Sequence, residues 1–190
     1  MNDLHLDLRT GWPADLRYLL DRYPREVWPT HPNLGATAQF WLRRHRMFRE
    51  LGAALTAATG AFREGRLQPA EYRAWFLPRL GFFLTELEGH HHIEDAHYFP
   101  LFVAAERGLQ RGFDALDGDH HLIHDDLGAL SDSGRALAQA LASGRDGRAA
   151  ADRWTADSDR LLARLSRHLD DEEDLVAPLI LDRGEGPLGL

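Results

Sequence analysis

Two stretches of this chain repeat one pattern: a histidine, a glutamate four positions on, a second acid beside it, and a proline downstream. They are His90, Glu94, Asp95 and Pro100, and again His168, Glu172, Glu173 and Pro178. A third pair, His120 and His124, has the same four-residue spacing. Residues four apart on an α-helix lie on the same face, one turn above the other, so each pair aims two donor atoms at one place. Imidazole nitrogens and carboxylate oxygens brought together in this way bind metal ions. With no cysteine in 190 residues, thiolate nucleophiles, disulfides, iron–sulfur clusters and cysteine-held zinc are excluded. Any metal must be held by nitrogen and oxygen.

Helices must carry these donors, because apolar residues recur in 4,3 spacing and no strand-like alternation persists beyond a few residues. The chain reads as all-α. Four long segments are expected at about 33–64, 69–106, 112–143 and 147–182, separated by short glycine-containing turns. The donors interrupt the apolar stripes of these segments. Phe76, Leu80, Phe83 and Leu87 lead to His90, Glu94, His97 and Leu101; Trp154, Leu161 and Leu165 lead to His168, Glu172, Leu175 and Leu179. Leu116, His120, Ile123 and Leu127 form the third stripe, with His124 beside Ile123, and Ala38, Trp41, His45 and Phe48 the first. Such stripes joined by short loops predict an up-down-up-down four-helix bundle over residues 34–182. A proline-rich N-terminal arm (residues 1–33) precedes it, with a short helix expected at about 13–21, and a tail (183–190) comes after it.

Rise per residue tests whether the donors can meet. His45 sits about 19 residues, or roughly 29 Å, before the first turn, and His90 about 21 residues, or roughly 32 Å, after it. Glu94 precedes the second turn by about 12 residues and His120 lies about 8 beyond it; His124 and His168 each lie about 20 residues from the third. All seven reach one layer, whereas His31 falls roughly 20 Å out of level. A buried imidazole or carboxylate without a partner costs several kcal/mol. A dinuclear metal centre explains five histidines and two glutamates in one core layer, because the cations neutralise the carboxylates and occupy the imidazole lone pairs.

The strings LRRHRMFREL, HHHIEDAHYFPLF, GDHHLIHDDL and HLDDEEDLVAPLI, spanning about Leu34 to Leu181, resemble the hemerythrin-like or HHE cation-binding family. The resemblance implies a non-haem di-iron centre, with His45 and His90 on one iron and His120, His124 and His168 on the other. Glu94 and Glu172 would bridge the two irons together with an oxo or hydroxo group. No family ligand is missing. The separation between His45 and His90 is larger than in the oxygen-carrying hemerythrins and is similar to that of the longer bacterial members; the N-terminal arm has no counterpart.

With two bridging glutamates and a bridging oxygen, the three-histidine iron would have six ligands and the two-histidine iron five. One position stays open. The implied role is binding of dioxygen, or of a similar small diatomic or peroxide ligand, for oxygen binding, storage or sensing. The alternative is a di-iron oxidoreductase acting on peroxide or nitric oxide in stress defence, which needs a proton donor near the open position; His97 and Tyr98 are the candidates. A ferritin-like carboxylate centre is excluded because the fourth helix has Leu165 where Glu-x-x-His needs a glutamate. Mononuclear zinc would leave three of the seven donors unexplained. His91, His92 and His121 fall off the seam and are expected to be exposed. Asp95, Asp119, Asp171 and Glu173 are expected to be mainly solvated, with some of them accepting the outer N–H of a ligand imidazole. Pro78, Pro100 and Pro178 are expected to kink or loosen their helices.

A net charge of -8 argues against nucleic acid or an anionic membrane as partner, since both need a positive surface. No stretch approaches the roughly 20 apolar residues needed to cross a bilayer, and no signal peptide is recognisable. A cytoplasmic protein is expected.

Overall fold

The structure is a computed structural model that describes residues 4–190. Among these it is all-α, and no helix is long and apolar enough to cross a membrane. Helix α1 spans Ala14–Arg22, α2 Ala36–Arg63, α3 Pro69–Ile93, α4 Phe99–Ala105, α5 Gln110–Ala142, α6 Arg148–Arg183 and α7 Glu185–Leu188. A 3-10 turn at Arg25–Thr30 comes after α1, and a π-helical turn at Glu94–Tyr98 joins α3 to α4.

The long helices end where the chain's chemistry ends them. After α2 and α5 the backbone turns left-handed at Gly65 (φ 75°) and Gly144 (φ 70°). In each case two downstream N–H groups return to the last helical carbonyls: Arg66 to Ala61 at 2.8 Å and Gly65 to Phe62 at 3.0 Å, Arg145 to Ala140 at 3.2 Å and Gly144 to Leu141 at 3.4 Å. This paired closure needs a positive φ, which glycine adopts without a steric penalty. Helix α3 opens on Pro69, whose missing N–H and fixed φ suit the first helical position.

Pro78 and Pro178, expected to kink or loosen their helices, lie inside α3 and α6, which run on without interruption. Pro100 acts differently. A proline ring crowds the carbonyl four residues back and donates no hydrogen bond to it. Ahead of Pro100 the helix widens by one residue, and the Phe99 N–H reaches back five positions to the Glu94 carbonyl.

Two compact units emerge from the packing of the described residues, one comprising 4–46, 91–121 and 166–190, the other 47–90 and 122–165. The four long helices pass through both. The core of the first unit joins the arm to the helices: Trp12, Leu16 and Leu19 pack with Trp41, Phe102, Phe113, Leu116 and Leu175. The second unit is built on aromatic contacts. Phe62 stacks on Tyr72 at 4.7 Å, Tyr72 meets Phe76 at 4.9 Å, and Phe76 meets Trp154 edge-on at 4.9 Å. Two buried polar contacts tie it together: Tyr72 bonds Thr59 at 2.8 Å, and Asp126 takes Arg160 at 2.8 Å and Arg164 at 2.9 Å.

Candidate metal centre

Helix period sets His45 on the buried stripe of α2, four residues after Trp41 and three before Phe48, and puts His168 and Glu172 on that of α6. All three are fully buried, as is Glu94. The donors fall into two groups, in each of which the ligand atoms lie within 4.8 Å of one another: His91, His120 and His168 in one, His45, His90, Glu94 and Glu172 in the other. His90 closes the second unit of the chain and is peptide-bonded to His91.

The inner nitrogens converge. His120 Nε2 lies 3.1 Å from His168 Nε2. Two imidazole nitrogens bound at about 2.1 Å and at right angles to one ion would be about 3 Å apart, so the spacing fits a shared ion. Glu172 turns Oε2 to His168 Nε2 at 3.4 Å and Oε1 to His45 Nε2 at 3.6 Å, while Glu94 Oε2 lies 3.7 Å from His120 Nε2. Each oxygen of Glu172 thus serves a different donor group.

Three of the imidazoles turn their outer nitrogens to carboxylates. His120 Nδ1 faces Asp95 at 2.7 Å, His45 Nδ1 faces Glu173 at 3.1 Å, and His168 Nδ1 faces Asp119 at 3.4 Å. Donating the Nδ1 proton outward leaves the Nε2 lone pair pointing inward, the tautomer a metal requires. The Trp41 indole N–H donates to Glu172 Oε1 at 2.6 Å, orienting the carboxylate from the other side. Phe99 stacks on His120 at 5.4 Å and His91 stacks on His120 at 4.1 Å, enclosing the group in apolar and aromatic surface.

Electrostatics calls for a cation here. Burial, the negative charge of Glu172 and the hydrogen bond to it push the Glu94 carboxyl well above its usual range. Burial opposes charge on His168, but its bonds to Asp119 and Glu172 and their negative charges outweigh this and lift it to about 9. His120 is pushed down, chiefly by burial. Protons sit where a dication would remove the conflict between the two buried carboxylates.

Six of the seven residues singled out in the sequence are brought together: His45, His90, Glu94, His120, His168 and Glu172. His124 is not; its side chain is exposed. At about 100° per residue it lies roughly 40° round from His120 on one side of α5, whereas the packed arc, with Asp119, Ile123 and Asp126, runs to the other side. His91, expected to be exposed, is buried and lies in the donor group of His120 and His168. Its neighbours in the helical period carry the signal: four residues before His91 is Leu87 and three after it is Glu94, both fully buried.

His97 corrects the second stripe. The extra residue of the π-turn rotates everything beyond Glu94, so His97 faces solvent while Phe99 and Phe102 enter the core. Leu101 is only half-buried for the same reason. His92 and His121 are exposed, as expected. Of the acids expected to be mainly solvated, Asp119, Asp171 and Glu173 are buried.

No curated protein and no solved structure shows detectable similarity to this chain. The hemerythrin HHE cation-binding domain model matches residues 36–180, from the first turn of α2 to the last turns of α6, a span that holds every donor of both groups. This chain belongs to the hemerythrin HHE cation-binding domain family.

Proposed function

We propose that this protein holds two iron ions and binds dioxygen, or a similar small ligand, at an open position on one of them. The observation that carries the reading is the pair of donor groups sharing Glu172, one carboxylate oxygen near His45 and the other near His168. In this reading His91, His120 and His168 serve one ion, and His45 and His90 the other. Glu94 and Glu172 would serve both, with an oxo or hydroxo group completing the centre. His91 stands in the role that spacing assigns to His124. Fewer protein side chains would hold the ion of His45 and His90, so a small ligand would be taken up beside these two residues.

Two iron ions, when bound, would supply the electrons for reversible ligand binding. The chain's own residues hold the donors still and keep water out. Trp41 fixes Glu172, and Phe48 packs 5.2 Å from His90. Oxygen binding, storage or sensing is the role such a site supports.

The second reading is an oxidoreductase acting on peroxide or nitric oxide. Of the two proton donors it draws on, His97 faces solvent, whereas the Tyr98 ring packs 4.7 Å from Trp41. The test is the optical spectrum of anaerobically iron-loaded protein before and after admitting air, with metal content measured on the same sample. Two irons per chain and a visible charge-transfer band that vanishes when oxygen is removed support the binding reading. Fast conversion to a stable ferric spectrum favours the oxidoreductase. A colourless protein with one metal or none overturns both.

A further inference from the structure

Two arginines of the N-terminal arm, upstream of the matched residues 36–180, reach the carboxylates that orient the candidate ligands. Arg9 is buried, with Nη2 2.6 Å from Asp119 Oδ2 and Nε 2.7 Å from Asp171 Oδ2. The same Asp119 oxygen faces His168 Nδ1 at 3.4 Å. Trp12 covers the guanidinium at 4.5 Å and donates its indole N–H to the Asp171 carbonyl at 2.7 Å. The Arg9 carbonyl accepts from Arg167, the residue before His168.

Arg25 repeats the arrangement on the other donor group. Its Nη1 meets Glu173 Oε2 at 2.9 Å, its Nε meets Asp174 Oδ1 at 2.8 Å, and its Nη2 donates to the Asp170 carbonyl at 2.9 Å. The other oxygen of Glu173 faces His45 Nδ1 at 3.1 Å. Each relay runs from an arm guanidinium through one carboxylate to one imidazole, and the two imidazoles belong to different groups.

Resting on the dinuclear reading above, we propose that Arg9 and Arg25 are positioning residues of the metal centre, so that the docked arm sets how firmly each position holds its ion. A planar guanidinium bonded to two acceptors fixes the carboxylate plane, and the carboxylate fixes the ring that accepts the metal. Linkage makes the effect reciprocal: a bound ion also stabilises the docked arm.

Charge and positioning act in opposite directions here. Removing a cation near the site raises affinity for a metal ion on Coulombic grounds, whereas loosening His45 lowers it. Arg25 is 41% exposed at its side chain, so Arg25→Met is expected to fold. The experiment loads full-length protein with cobalt(II) and monitors chelator extraction by the visible spectrum. Arg25→Met is expected to lose one of two equivalents roughly 10-fold faster than wild type, with Arg25→Lys intermediate. Arg9→Lys, which retains charge inside its enclosed site, speeds loss of the other equivalent. Arg22→Met breaks an arm ion pair to Asp182 that touches no candidate ligand, and leaves both rates unchanged.

Unchanged or slower extraction from both Arg25→Met and Arg9→Lys overturns the proposal, as does an equal fall in the melting temperatures of apo and loaded forms with no change in rate. Wild-type protein that takes up no cobalt or iron overturns the metal reading and this inference together, whereas a wild type with two equivalents and indifferent variants overturns this inference alone.

Discussion

Exchanging the roles of two histidines gives the sharpest test of the site. His91→Ala removes an imidazole that stacks at 4.1 Å on His120 and lies in a donor group with His120 and His168. His124→Ala removes an exposed one. Apparent free energies of about 10–16 kcal/mol for ions held by about four ligands put one imidazole at ~3 kcal/mol, a loss of roughly 100-fold in affinity. The apo protein also loses the packing of a buried ring, while an exposed substitution changes stability by no more than about 0.5 kcal/mol. The assay titrates each variant anaerobically with iron(II) and measures metal per chain after gel filtration, beside the melting temperature of the apo form. His91→Ala is expected to keep one equivalent firmly and the other weakly; His124→Ala should match wild type on both counts. If His124→Ala loses an equivalent and His91→Ala keeps two, α5 is rotated relative to the arrangement described, and the geometric reasoning fails.

Stability of the apo protein should fall as pH rises from about 6.5 to 9. His168 is raised from its ordinary 6.5 to about 9, so its contribution, ~3 kcal/mol, is fully present below 6.5 and lost as pH climbs through the folded value. The raised Glu94 adds in the same direction, since the folded protein keeps a proton that the unfolded chain releases above about 4.5. His120 is lowered and acts oppositely, but its effect is complete by 6.5. Calorimetry of apo protein across this window checks the slope, and metal addition at constant pH should release protons; a flat profile with no release contradicts both. Trp41→Phe deletes the 2.6 Å donor to Glu172, a charge-assisted bond of ~2 kcal/mol, and should lower the melting temperature of loaded protein by about 4–8 °C while shifting its visible bands. Gly134→Ala and Gly128→Ala, both in α5, should differ in sign. A Cβ at 134 would lie 2.5 Å from buried Leu80, whereas one at 128 meets nothing within 4 Å. Thermal melts should show the first destabilised by overpacking of about 1–3 kcal/mol less the helix gain, and the second stabilised by ~1 kcal/mol.

The long helices are legible because a 3.6-residue period is a local property of sequence. The segments expected at 33–64, 112–143 and 147–182 are helical at 36–63, 110–142 and 148–183, and the glycines placed in turns close two of them. The arm is legible only in part. Its short helix shows in the pattern, but Arg9 finds partners 110 and 162 residues away, and no local signal encodes such pairings. Asp119 and Glu173 read as mainly solvated for that reason: an acid on the edge of an apolar stripe is buried only if a distant cation meets it.

Within the site, spacing identifies which helices carry donors but does not fix rotation at its margins. Between His90, His91 and His92, or between His120, His121 and His124, a period gives angles, not the boundary of the packed arc. That boundary depends on which neighbouring side chains are large enough to close around the ring, and around α5 the arc closes on the Asp119 side, where Arg9 enters. The two His-x3-Glu copies then diverge despite equal spacing to their prolines. Helix α6 runs through Pro178 and keeps Leu175 and Leu179 buried, as the stripe requires, whereas the turn before Pro100 takes in one extra residue. The insertion falls after Glu94, so it leaves the donors of α3 in register and moves only the residues beyond them. On α3 the stripe can therefore be followed as far as Glu94, and His97, the next residue on it, is where the helical period stops placing side chains in the core.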